Sequence, residues 1–235
     1  MKVKALFFHV GFLDLVCDAL FHLRLAESSD DSYVINRHAR ASILACSLSL
    51  ECLSNALIKY LDTSEHFYED LERLPPLSKI EAFLKIAGVG FDIDRGNNRT
   101  QKMKELIQVR NQFVHPKESK ISTEIGMPED GNENWIVPMS LEGNHYKELA
   151  IPRCSLFWST VSALKVIQST FEFYQTIFSS IEKNHKDALR MTMNRLEFKN
   201  FCAPNTFNEF DLEIASAKAK GLKVEFLIKL CSNSE

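Results

Sequence analysis

Apolar positions recur at helical spacing along most of the chain. Leu6, Val10, Leu13, Cys17, Leu20 and Phe21 share one side and predict a first helix over residues 3–26. The Ser28-Ser29-Asp30-Asp31-Ser32 cluster ends it and supplies a cap for the next. Residues 33–62 carry a longer pattern. Between Ile43 and Leu61 it is apolar or small on nearly every side, which predicts a central buried helix. A short acidic piece leads to Pro75-Pro76. Ile80, Phe83, Leu84 and Ala87 then mark a compact amphipathic helix over 78–87, stopped by the Gly88 to Gly96 region. Asn97-Asn98 starts a helix that runs to His115, where Pro116 drives the preceding residue out of the helical region. The clearest helix is 153–183, with Phe157, Val161, Leu164, Ile167, Phe171, Tyr174, Phe178 and Ile181 in one stripe that reads as core packing.

Two segments break this rhythm. Residues 117–152 hold Gly126, Pro128, Gly131, Pro138, Gly143 and Pro152 and two short extended runs, and are expected to form an inserted loop or hairpin. After Lys186 the period shortens. Leu196-Glu197-Phe198-Lys199 alternates, and so do Leu222, Val224, Phe226, Ile228 and Leu230, a strand signal, with a short helix over 210–220 between them. The fold class that follows is mainly α. An antiparallel helical bundle over 1–185 carries the insert at 117–152, and 186–235 adds a small α/β extension.

Composition narrows the function classes. A length of 235 residues suits one large domain with an appendage. The net charge of −3 argues against a broad nucleic-acid coat but leaves room for a small basic cleft. The six cysteines form no C-x-x-C pair, which suggests reduced thiols in a cytoplasmic protein; no metal ligation or cofactor is expected from them. The start, Met1-Lys2-Val3-Lys4 before Ala5-Leu6-Phe7-Phe8, has the look of a signal peptide. His9, Gly11 and Asp14 interrupt it, and the pattern offers no run of about 18 apolar residues, so no membrane span is expected.

The candidate chemistry lies at the end of the helix reaching His115. On a wheel of about 100° per residue, Met103, Leu106, Ile107, Phe113 and Val114 fall within about 60° of one direction, and Arg110 lies at its middle. A guanidinium there is costly unless paired, because it stays charged. Asn111 and His115, four apart, stack on one flank. The carbonyl end of the helix favours an imidazolium at His115. Such a ring can act as acid or base, and an arginine beside it can hold a phosphate. On RNA the ribose 2′-hydroxyl is an internal nucleophile, so this pair needs no metal for cleavage. In the central helix, Glu51 lies with Ser47, Ser54 and Asn55 in a polar seam and is a candidate partner for Arg110. An Arg–Glu pair inside a bundle is equally explained as a structural device, and a histidine at a helix end as a cap.

The run Arg110-Asn111-Gln112-Phe113-Val114-His115 resembles the R-x4–6-H signature of the HEPN superfamily, with a polar residue after the arginine. The run from Ser47 to Ile58 is similar to the family's early helix with its acidic residue. The likeness covers roughly residues 1–183. It implies a helical bundle acting as a homodimer, with motif helices meeting in one cleft. The activity it implies is a metal-independent endoribonuclease of toxin–antitoxin, abortive-infection or other antiviral systems. Carried over, Arg110 and His115 are catalytic, Asn111 orients them, and Glu51 supports the site. The chain departs from toxins paired with a nucleotidyltransferase in having Lys117 two residues after the histidine, where a tyrosine is common. Some members only bind nucleotides or proteins, so a non-catalytic binding module is the alternative, and an enzyme acting on a nucleotide a third option.

Other residues carry weaker signals. Arg99, Lys102 and Lys104, with Lys117, are the nearest source of RNA phosphate contacts; a solvated helix face explains the first three as well. Arg37, His38 and Arg40 extend a positive cleft or simply begin a helix. His9 and His22 fit satisfied core or interface histidines. His145, Tyr146 and Trp135 belong to the insert and are candidates for base stacking. The RNA target and any antitoxin partner leave no mark in the sequence.

Overall fold

The computed structural model describes residues 7–115, 145–193, 196–198 and 210–227. They are mainly helical. The order is β1 (Phe7–His9), α1 (Phe12–Glu27), α2 (Ser32–Tyr60), α3 (Glu65–Glu72), α4 (Pro76–Ile86), α5 (Asn98–Val114), a 3-10 turn at Ser155–Phe157, α6 (Thr160–Ile181), α7 (Lys186–Met193), β2 (Leu196–Phe198) and α8 (Asp211–Ala219).

The helix expected over 3–26 begins only at Phe12. Phe7–His9 is extended and pairs antiparallel with β2, Phe8 opposite Glu197. A short apolar run is compatible with either period. Here Gly11 separates the two conformations, standing at the N-cap of α1. Leu196–Phe198, within the run expected to alternate, is the strand that meets it.

α2 is the central helix. Asp31 caps it, its carboxylate accepting from the Tyr33 and Val34 N–H groups at 2.8 and 3.0 Å. Burial around its circumference includes Ala39, Ile43, Cys46, Leu50, Leu53 and Leu57, and α1, α4, α5, α6 and α7 all pack on it. Ser42 donates to the Ala19 carbonyl of α1, and Ser49 shares a 2.7 Å hydrogen bond with the Tyr174 hydroxyl of α6. Burial pushes the Cys46 thiol up to about 12, so it behaves as an apolar side chain. Among the described residues, α2 is one helix long and apolar enough to cross a membrane, contrary to the expectation of none. Its most apolar window is 61% buried inside the bundle, as the central helix of a packed core is.

Arg24 reaches Glu213 and Glu27 meets Lys220, each at 3.0 Å, tying the region of α8 to α1. Beyond α8, the strand expected over 222–230 is absent from its described part. Residues 225–227 are helical. Leu222, Val224, Phe226 and Leu227 are all buried. Phe226 stands edge-on to Phe171, Tyr174 and Phe178 at 5.3 to 5.7 Å between ring centres. Burial alternates as expected as far as Phe226, with Lys223 and Glu225 exposed, but Phe226 and Leu227 are buried in succession and the Leu227 N–H closes a turn on the Val224 carbonyl at 3.0 Å. α6 also starts later than residue 153: the chain first makes the 3-10 turn, Ser162 Oγ then accepts from the Ser159 N–H, and Val161 is exposed.

Candidate functional site

The motif helix α5 starts at Asn97, whose side chain accepts from the Arg99 N–H. Thr100, Met103, Leu106 and Val109 form its buried line. Arg110 follows on the same side but only half-buried. The last turn outruns the core, so Phe113 and Val114, expected in the apolar stripe, are 39% and 48% exposed. Phe113 instead stacks on Trp158, rings 20° apart with centroids 6.5 Å apart.

Arg110 finds the partner its position demands. Its Nη2 meets Glu51 Oε2 of α2 at 2.9 Å, and its Nη1 donates to Asn111 Oδ1 at 3.1 Å. Arg110 Nε is shut from solvent and has no acceptor among the described residues. Both side chains of the ion pair stay about a third exposed, so the pair lies at the edge of the core. Asn111 and His115 are exposed. His115 is the residue after the helix, its N–H donating to the Asn111 carbonyl at 3.0 Å. A guanidinium held by a carboxylate, an amide and an imidazole thus share the terminal turn of α5, where apolar surface gives way to water.

The polar seam of α2 divides. Ser47 and Ser54 return their hydroxyls to the carbonyls of Leu44 and Glu51 in their own helix. Asn55 instead accepts from Lys79 of α4 at 2.6 Å. Lys79 is 5% exposed. Burial pushes its pKa down; the charges of Glu51 and Glu72 oppose the shift. Sequence reasoning missed it. The available signal was a lysine between Leu77 and Ile80 in a short helix with a wide apolar side.

The end of the insert lies along α5. The Glu105 carboxylate accepts from the Glu148 and Leu149 N–H groups at 2.9 and 2.7 Å, and the Tyr146 hydroxyl donates to Gln112 Oε1 at 2.5 Å. Residues 145–152 fold back on themselves, His145 opposite Pro152. Tyr146, considered for base stacking, is 1% exposed with Arg153 over its ring; it clamps the helix. Trp158 Nε1 donates to the Pro152 carbonyl, and Asn36 of α2 donates to the carbonyls of Ser155, Leu156 and Trp158.

Of the basic residues near the motif, Arg99 Nη1 reaches Thr176 Oγ1 at 3.4 Å, and Lys102 and Lys104 are half-buried. Lys117 and Trp135 lie outside the described residues. Arg40, one turn after Asn36, has its Nε buried with no acceptor among the described residues. His22 and His38 face each other, Nδ1 to Nδ1 at 3.2 Å, and His9 meets Asp14 at 3.2 Å. Among the described residues, no group of three or more His, Cys, Asp or Glu side chains is placed to hold a metal ion.

Comparison with family models, with curated proteins and with solved structures finds no match to this chain.

Proposed function

We propose that this chain is a HEPN-type, metal-independent endoribonuclease acting as a homodimer, in a cytoplasmic toxin or anti-phage role. The observation that carries the reading is Arg110. It is fixed by Glu51 and Asn111 at a helix end that presents Asn111 and His115 to solvent. Arg110 is the phosphate-binding cation, His115 the acid–base group, and Asn111 and Glu51 hold the guanidinium. The ribose 2′-oxygen attacks phosphorus as its proton is removed, and the 5′-oxygen leaves and takes up a proton. The products carry a 2′,3′-cyclic phosphate and a 5′-hydroxyl. Within this reading, 1–185 is the HEPN-like bundle and 186–235 an extension to it.

Exposed apolar side chains near this helix end support the dimer. Phe113 and Val114 belong to its last turn, Leu48 lies one turn before Glu51 on α2, and Leu156 is 65% exposed beside the Asn36 contact. Folded over by a second copy, such side chains would be removed from water. The second reading is a non-catalytic nucleotide- or protein-binding module. The closed Arg110–Glu51 pair favours it, since that pair alone can be structural.

Expression in a bacterial host separates the two. The enzyme reading expects growth arrest from the wild type, relieved by His115→Ala at equal protein level. Equal growth of the two strains, with the wild type soluble and dimeric, supports the binding module.

A further inference from the structure

Two arginines stand apart from the rest. Arg24, Arg73, Arg95, Arg110 and Arg190 each meet a carboxylate, and Arg99 and Arg153 donate to neutral oxygens. Arg37 and Arg40 of α2 do neither among the described residues. Arg37 is exposed, its guanidinium over the Tyr33 ring at 5.7 Å from the centre. Arg40 is half-buried, and its Nε is shut from solvent. Water satisfies an exposed arginine. A half-buried one keeps its charge and gains from an anion.

Spacing puts both on the side of α2 that leads to the motif. On a wheel of about 100° per residue, Tyr33, Arg37, Arg40, Leu44 and Glu51 fall within about 40° of one direction. Arg40 comes about three turns, or about 16 Å, before Glu51 along the axis. Glu51 holds Arg110 at 2.9 Å, so this strip ends at the candidate site.

The strip is poor in acids. From Ser32 to Leu50 the chain has no Asp or Glu. Asn36, at its edge, donates to the carbonyls of Ser155, Leu156 and Trp158. The stretch that this contact brings alongside has no Asp or Glu from 149 to 171, and carries Arg153 and Lys165. Carboxylates elsewhere on the neighbouring elements are engaged or turned away. Asp31 caps α2. α1, which carries Asp18 and Glu27, packs through Ala19 on Ser42, about half a turn round α2 from the strip. At the far end Asp14 meets His9, and Glu51 meets Arg110.

We propose that Tyr33, Arg37 and Arg40 hold the single strand of RNA that continues from the phosphate at Arg110. The two guanidiniums take backbone phosphates, and the Tyr33 ring, 65% exposed, stacks on a base. The proposal rests on the nuclease reading, in which Arg110 holds the scissile phosphate. Charge selects the occupant: two cations without a carboxylate, on a face without acids, suit a polyanion. Contacts of this kind hold a strand in place without reading its sequence.

The probe is an all-deoxy oligothymidylate of about ten nucleotides, within the size of single-strand sites; it lacks the 2′-hydroxyl and cannot be cleaved. Its binding to the full chain is followed across a salt series. Each phosphate contact to a single strand adds about 0.7 to the slope of log affinity against log salt. Arg37→Gln combined with Arg40→Gln weakens binding about tenfold or more at low salt. The same pair lowers the slope by about 1.4. Lysine at both positions keeps the charge and restores the slope. If the double glutamine variant does not fold, Arg37→Gln alone, at an exposed position, lowers the slope by about 0.7. An unchanged slope in the folded variants overturns the proposal. So does polyglutamate of equal charge binding as tightly with the same dependence on both arginines, which marks an acidic protein as the occupant. Loss of the dimer with the slope intact assigns the strip to a second copy and overturns it too. A lowered slope in a protein that cleaves no RNA leaves the strip standing and removes the nuclease reading. Metal-independent cleavage with no change of slope does the reverse.

Discussion

Arg110 and His22 show how one residue's surroundings decide its role. Arg110 was placed on the apolar side of its helix by spacing alone, and Glu51 was legible as its partner because both interrupt apolar stripes. Lys79 was not, because a lysine at a helix edge usually carries its head to water, and only the packing of α4 on α2 buries it. His22 read as a satisfied histidine. Its partner His38 is sixteen residues away, across the α1–α2 turn. Burial first, and then His38, pushes the His22 pKa below its ordinary value, with Asp18 opposing. Folding therefore favours the neutral ring. At alkaline pH both states are neutral. As pH falls from the ordinary histidine value through the lowered one, the unfolded chain takes the proton first and stability is lost. The urea midpoint should thus fall between pH 8 and about pH 5, and His22→Asn should flatten part of that fall. Equal slopes in the two proteins would mean that the pair carries no such linkage.

Helix α5 shows where element reading succeeds and where it stops. Its start at Asn97 and its end before Pro116 follow from local chemistry, a side-chain cap and a proline. The fate of its last turn does not. Wheel position gives a direction but not the depth of the core, so it extends to Phe113 and Val114 a stripe whose buried part ends at Val109. The first segment failed for a different reason: 7–9 becomes a strand because a partner lies nearly two hundred residues away, and no local period reports that. The same limit hid the clamp on α5. Glu105 takes two backbone N–H groups of the segment after the insert. Glu105→Ala leaves both without that acceptor and removes a charge-assisted pair of bonds, at a cost of about 2 kcal/mol. Hydrogen exchange at Glu148 and Leu149 should rise well beyond that elsewhere in the bundle. Unchanged protection of these two amides would show the clamp to be idle.

Across the whole molecule, the helical class and the central place of α2 were legible because long apolar periods survive any tertiary arrangement. The arrangement around residues 210–227 was not. Alternation at Leu222, Val224 and Phe226 is also what an irregular segment shows when it lies across a core, and Phe226 completes a ring of aromatic contacts with α6. Phe226→Ala should lower global stability by about 3 kcal/mol, with tryptophan fluorescence and far-ultraviolet dichroism shifting together in urea. A loss confined to a separate, earlier transition would mark the C-terminal segment as an independent unit.

The central claim is that the end of α5 cleaves RNA without a metal. It is tested most directly by incubating the purified protein with diverse RNAs in EDTA, beside His115→Ala and Arg110→Ala variants matched in oligomeric state and melting temperature. The account predicts that the wild type leaves fragments ending in 2′,3′-cyclic phosphate and that both variants leave the RNA whole. Intact RNA with the wild type, or equal cleavage by the folded His115→Ala protein, would contradict it.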